Sequence, residues 1–418
     1  MDFNIDQKKQ NGKHYILGLF TGMLLSGVFA LIVCFGFLLA KVIKNPASAA
    51  DVNVTGAGSL DADVISKVSA IKELIEEEYS LAEVDEDTLN EGLYRGIVDA
   101  VGDVYSEYYS VEELEELNQY SEGIFYGIGA YISVDEQSTL PKIAGVMEGS
   151  PAEKAGVLEN DIIYEVDGQS TYGLSTDEVV ALVRGEKDTD VVLTMVRYGE
   201  ADYVEIKITR GPVDERIVSH GMLEDYPEIG YIQISQFADS GVDQFAEALA
   251  DCKAENMKGL IIDLRSNPGG TLNSVLEICR MILPKGLILY TEDKNGQRVE
   301  YTCDGKRELE VPIVVLVNGN TASAAEVMTG AIRDHGMGKI VGTTTFGKGI
   351  VQNVFRLNDG SAVKLTTESY FTPNGSYIHK LGIEPDVEIE YDREMALQEG
   401  KDVQILKAVE VLQDLMDD

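Results

Sequence analysis

The chain has 418 residues, and 34 Lys and Arg against 72 Asp and Glu give a formal charge of −38. That length predicts two to four domains at ~100–200 residues each, and so large an acidic excess repels phosphate backbones and excludes nucleic acid as a partner. A hydrophobic content of 44% excludes disorder throughout; four cysteines without a C-x-x-C and four histidines without an H-E-x-x-H exclude zinc-ribbon, thioredoxin-type and zincin chemistry, and no cofactor is called for.

Residues 1–14 read as a cytoplasmic N-terminus and 15–41 as a transmembrane anchor. Residues 15–40 form a run of 26 without a charge. A helix of that length spans ~39 Å, more than the ~30 Å hydrocarbon core. Lys8, Lys9 and Lys13 before it, and Lys41 and Lys44 after it, favour the N-terminus inside. A cleaved signal peptide is the alternative, because Ala47-Ser48-Ala49 resembles a small-residue cleavage site. Signal peptides, however, carry an apolar stretch of only ~7–15 residues. Either way the chain from residue 50 onward is expected outside the cytoplasm, held at the cell membrane by a single pass. Residues 42–61 are rich in Gly, Ser and Ala and read as a linker.

Residues 62–118 show apolar spacing of period 3.6 at Val64, Val68, Ile71, Leu74 and Ile75, then at Leu93, Ile97 and Val101, which predicts helices. Between 72 and 118 there are 16 acids and 2 bases. A solvated helical face accounts for them; the other reading is a self-association surface, hence a homodimer. From 119 to 210 the pattern becomes short strands and turns, with strands at 191–196 (VVLTMV) and 203–208 (YVEIKI). Ser150-Pro151 opens a short helix that Gly156 ends, Asp167-Gly168 signals a hairpin, and 176–184 reads as a second helix.

From 211 to 392 strands and helices alternate. Strands are expected at 230–234, 260–264, 313–317 and 340–342, with helices at 242–256, 272–281 and 324–334. Such alternation implies an α/β core of parallel strands. Residues 393–418 end the chain with an amphipathic helix over 403–416. Cys252 and Cys279 are expected to pack as small apolar residues, a bridge between them being the alternative.

Three segments carry chemistry. NGNTASAAE, 318–326, follows the apolar strand IVVLV and would place Ser323 at a helix N-terminus, where unpaired N–H groups favour negative charge. A serine there can attack a carbonyl while the Ala324 amide steadies the oxyanion, or it can simply cap the helix. A nucleophile needs a base. His335 lies 12 residues on, ~18 Å away along that helix, and His220 and His379 lack an evident orienting carboxylate. A buried lysine is the other option, since burial lowers its pKa. Lys348 stands between two glycines in GTTTFGKGIVQ, 342–352. If it begins a strand, Gln352 shares its face and can orient it, although Gly-Lys-Gly is also an ordinary surface turn. RSNPGG, 265–270, follows the strand LIIDL; Gly269 or Gly270 can offer a second oxyanion donor, or the segment is a plain Pro-Gly turn.

Together and in this order, LRSNPGG, TASAAE and GTTTFGKGIVQ resemble the C-terminal processing peptidases, or tail-specific proteases. The resemblance runs from about residue 60 to the end. It implies an α/β core of the crotonase or Clp-protease type, with Ser323 as nucleophile, Lys348 as general base and Gln352 holding the lysine. The amides of Ala324 and of Gly269 or Gly270 would form the oxyanion hole. A β-rich PDZ domain, 119–210, is implied as well. GSPAEKAGVLENDIIYEVDG carries that match, and GIFYGIGAYI resembles the carboxylate-binding loop, with Gly127, Ile128, Gly129 and Ala130 receiving a chain terminus. Ile128 and Ile132 would favour apolar terminal residues. Arg184 resembles the position thought to couple the PDZ domain to the active site. The expected partners are proteins or peptides with free, apolar C-termini. A catalytically silent PDZ adaptor is the competing reading; a trypsin-like protease is excluded because no G-x-S-G-G serine exists.

Overall fold

The computed structural model describes residues 61–418 apart from 136–137, 148, 215, 307–308 and 418, and without the side chains of 177 and 214. The anchor and the N-terminal tail expected above lie outside the described residues. Among the described residues no helix is long and apolar enough to cross a membrane.

Three helices begin the described chain: Ala62–Glu78, Glu86–Asp99 and Val111–Glu122. Each starts on a polar cap, Asp61, Asp85 and Ser110, and Ser110 with Glu113 forms a full capping box. The last helix stops at Gly123, whose φ of 70° lies in the left-handed region. The region is not all helical: Glu107–Tyr109 is a strand, and it pairs antiparallel with Ala362–Phe371 far along the chain. So short a strand, between two helices, leaves no readable period.

The unit expected to be a PDZ domain is a sheet in the order Ala130–Val134, Pro141–Val146, Ile162–Val166, Asp190–Val196, Val204–Thr209. Ile143, Ile163, Leu193 and Met195 fill its core completely. The expected short helix is Pro151–Ala155, with Ser150 Oγ accepting from Glu153 N–H and Gly156 closing it at φ 84°. The strand Ala130–Val134 lies at the edge of the sheet, near the helix Thr176–Val183.

The core holds a six-stranded sheet ordered Val218–Leu223, Tyr226–Ile234, Gly259–Asp263, Ile313–Val317, Gly338–Gly342, Val387–Glu388. All pairs are parallel except the first. Gly259–Asp263 and Ile313–Val317 are buried along their whole length, as befits parallel strands covered on both faces. Helices Ser240–Ala254, Leu272–Arg280 and Ala324–Asp334 pack on one face. The helix Val403–Asp417 covers the other with Ala408, Val409 and Leu412. The C-terminal stretch is two helices rather than one: Arg393–Glu399 ends at Gly400, left-handed at φ 66°, before the second begins.

The alternation rule did not reveal the second sheet of the core. Gly286–Asp293, Arg298–Cys303, Ile350–Arg356 and Ala362–Phe371, with Glu107–Tyr109, form five antiparallel strands. Cys252, Cys279 and Cys303 are buried free thiols, so no Cys252–Cys279 bridge forms.

The back helix approaches so closely that a Cβ on Gly259 would meet Leu412 at 2.9 Å. Leu412→Ala should therefore leave a cavity and cost about 2–5 kcal/mol, read as a lowered denaturation midpoint of the full chain. An unchanged midpoint would mean that the helix does not clamp the sheet.

Candidate active site

Gly259–Asp263, Ile313–Val317 and Gly338–Gly342 are neighbours in the parallel sheet. The segments 264–270, 318–323 and 343–349 leave their C-terminal ends, which places all three at one edge, where parallel α/β sheets bind ligands. The first two segments are woven together. Asn318 Oδ1 accepts from Ser266 N–H at 2.9 Å, Thr321 Oγ1 donates to the Leu264 carbonyl at 2.8 Å, and Ala322 N–H donates to the Asn267 carbonyl at 2.9 Å. Asn267 is fully buried, and its amide donates to the Ile234 carbonyl on the adjacent strand.

Ser323 stands at the N-terminus of the helix Ala324–Asp334 with φ 54° and ψ −117°. A non-glycine residue there is strained, and such strain gathers at functional sites. The helix entrance does not rely on the serine hydroxyl. Glu326 Oε2 accepts from Ser323 N–H at 2.9 Å, while Glu326 N–H goes to the Ser323 carbonyl at 2.8 Å. The Tyr370 hydroxyl also donates to that carbonyl, at 3.1 Å. Burial, then the charge of Glu326, push the Tyr370 phenol well above its usual pKa, so it remains a donor.

Glu326 is fully buried and does more than cap. Its Oε1 accepts from Thr345 Oγ1 at 2.5 Å and from Gly347 N–H at 2.7 Å, and its Oε2 accepts from Lys348 N–H at 2.8 Å. One side chain thus holds the backbone of Ser323 and the backbone of Lys348. The spacing Ser323-x-x-Glu326 is a capping-box pattern and could have flagged this residue; its second role, to the lysine loop, has no local trace.

Lys348 is half-buried. Burial, then the Lys364 ammonium, lower its pKa below the usual lysine value, while Asp103 opposes them. Its Nζ lies 4.7 Å from the centre of the Tyr105 ring. Among the described residues no hydrogen bond joins it to Ser323 Oγ. The adjoining strand is Ile350–Arg356, so Lys348 precedes it instead of beginning it. Gln352 sits on that strand opposite Thr366, and its Nε2 donates to Thr366 Oγ1 at 3.2 Å; no Gln352–Lys348 hydrogen bond forms. The shared-face argument fails here because a register shift follows Val351.

Gly269 is pressed against the serine: a Cβ there would meet Ser323 Cβ at 2.8 Å and Ala324 N at 3.0 Å. Its N–H donates to Asn267 Oδ1 at 2.8 Å. Gly270 is exposed at φ 142°, and a Cβ there would meet the Phe237 carbonyl oxygen at 1.9 Å. Of the two glycines, Gly269 has its N–H engaged by Asn267. His335 and His220 are bonded elsewhere. His335 ends the serine helix and bonds the Leu287 carbonyl at 2.8 Å, and His220 pairs with Asp251 at 3.0 Å. His379 packs on the lysine loop, where a Cβ on Gly349 would meet its N at 2.7 Å.

In the PDZ unit Gly127, Ile128 and Gly129 are buried and Ala130 is half-buried. The Ile128 and Gly129 carbonyls accept from Ala152 N–H at 2.7 Å and Met147 N–H at 3.0 Å, which fixes the loop against the Ser150 helix. Arg184 is exposed, and its guanidinium lies 4.9 Å over the Phe125 ring, just before the loop.

Residues 228–389 match the model of peptidase family S41, and residues 142–197 match a PDZ domain. The chain is 34% identical over 363 residues to the carboxy-terminal processing protease CtpA of Bacillus subtilis (strain 168), covering 85% of this chain and 77% of that protein. It is 37% identical over 281 residues to the carboxyl-terminal-processing protease of Synechocystis sp., covering 67% of this chain and 66% of that one. Among solved structures it is similar to a photosystem II D1 C-terminal processing protease, 29% identical, with a TM-score of 0.46 over 77% of this chain and 86% of that one.

Glu326→Gln would turn an amide N–H₂ toward N–H donors that now meet a carboxylate. Two buried groups left unsatisfied cost about 1–3 kcal/mol each. The variant should melt well below wild type and lose most of its peptide cleavage. A wild-type melting temperature and kcat/KM would rule out the shared anchor.

Proposed function

The chain belongs to peptidase family S41, and on that premise we propose that it is a membrane-anchored, extracytoplasmic serine endopeptidase that trims or degrades proteins from their C-terminal tails. It is a serine peptidase with a PDZ domain; the Ser-Lys chemistry, the membrane anchor and gating of the active site by the PDZ domain are the proposal. The carrying observation is that one buried carboxylate, Glu326, holds the backbones of Ser323 and Lys348 together at the sheet edge. Neutral Lys348 takes the proton from Ser323 Oγ as the oxygen attacks the scissile carbonyl. The Ala324 and Gly270 amides receive the oxyanion, and the lysine returns its proton to the leaving amine. Water, deprotonated by the same lysine, then releases the acyl group. Gln352 acts at one remove, through Thr366 on the neighbouring strand. Since the base must be neutral, activity should rise with pH through the pKa of Lys348, which burial and then Lys364 set below the ordinary value.

The PDZ domain takes the tail as an added strand on Ala130–Val134, its carboxylate at the 127–130 loop, with Arg184 at the near end of the helix Thr176–Val183. It works as a gate. Residues 15–41 hold the enzyme at the cell membrane. The exposed Val64, Ile65, Ile71 and Leu74 of the first helix and Ile97 of the second support a homodimer, which would cover apolar surface now facing water.

Ser323→Ala and Lys348→Ala should each lower kcat/KM by ~10³-fold or more in a folded protein, while His335→Ala retains most activity. Peptide hydrolysis checks this; an active Lys348→Ala enzyme sinks the dyad.

Tail recognition is tested with matched free-acid and amidated peptides. Loss of the terminal charge should weaken binding by about 1.5–3 kcal/mol, the range of charged hydrogen bonds. Equal cleavage rates would remove the carboxylate from the mechanism.

A further inference from the structure

Tyr105 comes from a turn between the helix Glu86–Asp99 and the strand Glu107–Tyr109, yet its ring lies under the Lys348 ammonium at 4.7 Å. The turn is tied down from several sides. Asp103 Oδ1 accepts from Tyr105 N–H at 3.2 Å and Asp103 Oδ2 accepts from Ser106 Oγ at 2.6 Å. Ser106 Oγ in turn accepts from Thr366 N–H at 3.2 Å, and Thr366 Oγ1 accepts from Gln352. Glu107, Tyr108 and Tyr109 then pair with Lys364, Val363 and Ala362. The backbone of Tyr105 is thereby fixed to this corner of the antiparallel sheet.

The charged and titratable groups around the lysine come from every element packed there. Lys364 lies on the strand Ala362–Phe371, and its Nζ contacts Glu107 and the Tyr109 hydroxyl. Asp103 shares the turn with Tyr105. Glu326 takes the Lys348 backbone N–H, and His379 sits on the loop against Gly349. Burial and Lys364 favour the neutral amine; Asp103 favours the ammonium. An aromatic face does the same, because its quadrupole attracts a cation and gains little from an amine.

We propose that Tyr105 is a positioning residue for Lys348: its ring docks the lysine as the ammonium, so that the N-terminal helical region sets the pH at which the base becomes available. When the ammonium gives its proton to water, the ring loses its hold, and the amine is free to turn toward Ser323 Oγ. The inference rests on the reading of Lys348 as general base.

The test is the pH dependence of kcat/KM for one peptide with the full-length wild type, Tyr105→Phe and Tyr105→Leu. The leucine variant should move the acidic limb down by roughly 0.4–1.5 pH units, while phenylalanine, which keeps the ring, should hold the wild-type limb. Damage to the turn alone would lower rates at all pH without moving the limb. If leucine unfolds the protein, the unbranched Tyr105→Met takes its place. Acylation of Lys348 across pH, followed by peptide mass spectrometry in a Ser323→Ala background, reads the same midpoint without catalysis and should show the same fall. A limb and midpoint that stay or rise without the ring, or a phenylalanine variant shifted as far as leucine, overturn the inference. An active Lys348→Ala enzyme would instead overturn the general-base reading, whereas an inactive one beside an unmoved Tyr105→Leu limb removes the docking inference alone.

Discussion

The site depends on one buried carboxylate. Burying a charge is costly unless it is paired or fully hydrogen-bonded, and Glu326 meets that condition with four donors: Ser323 N–H, Thr345 Oγ1, Gly347 N–H and Lys348 N–H. Its place in the first turn of the serine helix adds the favourable end of the helix dipole. The four donors come from two loops that leave neighbouring parallel strands and already share a backbone bond from Phe346 N–H to the Thr321 carbonyl at 3.0 Å. The carboxylate therefore converts two adjacent strand ends into one rigid unit. Thr345 extends it, since its Oγ1 also accepts from Ile383 N–H at 2.7 Å.

With both backbones held, the Lys348 side chain is the part of the proposed dyad that Glu326 does not fix. Lys348 is balanced between opposing fields: burial and Lys364 on one side, Asp103 and the Tyr105 face on the other. Balances of this kind tune a base toward neutral pH. Here Asp103 and the Tyr105 ring reach the lysine from a turn that a three-residue strand ties to the core's antiparallel sheet. Distant stretches of the chain thereby meet at one amine.

The charge of −38 sets a further condition on tail recognition. A free C-terminus is itself an anion, so the mean field of the protein opposes its approach. That field is screened within ~8–10 Å at ordinary ionic strength. On the proposed tail-binding reading, what remains is local: the amides of the 127–130 loop and the Arg184 guanidinium, 4.9 Å over the Phe125 ring. The loop's carbonyls, turned inward to Ala152 and Met147, keep it in one shape before any tail arrives.

Much of this was legible in the amino-acid order because the signals are local. IVVLV is a strand over its whole expected length, and the helix 324–334 begins and ends where its turn and apolar spacing place it. Ser150, Pro151 and Gly156 set both ends of a short helix through cap, fixed φ and left-handed stop. The three chemistry-bearing segments could be picked out because glycines and a helix N-terminal serine have meaning by themselves. That they meet was implied only by the family resemblance and has no local signal, since it follows from strands 259–263, 313–317 and 338–342 lying side by side. Gln352 was assigned to the lysine by counting along one strand, and a register shift sent its amide to Thr366 instead. Tyr105, Asp103 and the second role of Glu326 had no sequence signature at all, because their partners lie on other segments of the chain. Local steric and capping preferences wrote the elements and the reactive residues into the sequence; only the tertiary structure, through sheet order and one shared carboxylate, decided which of them touch.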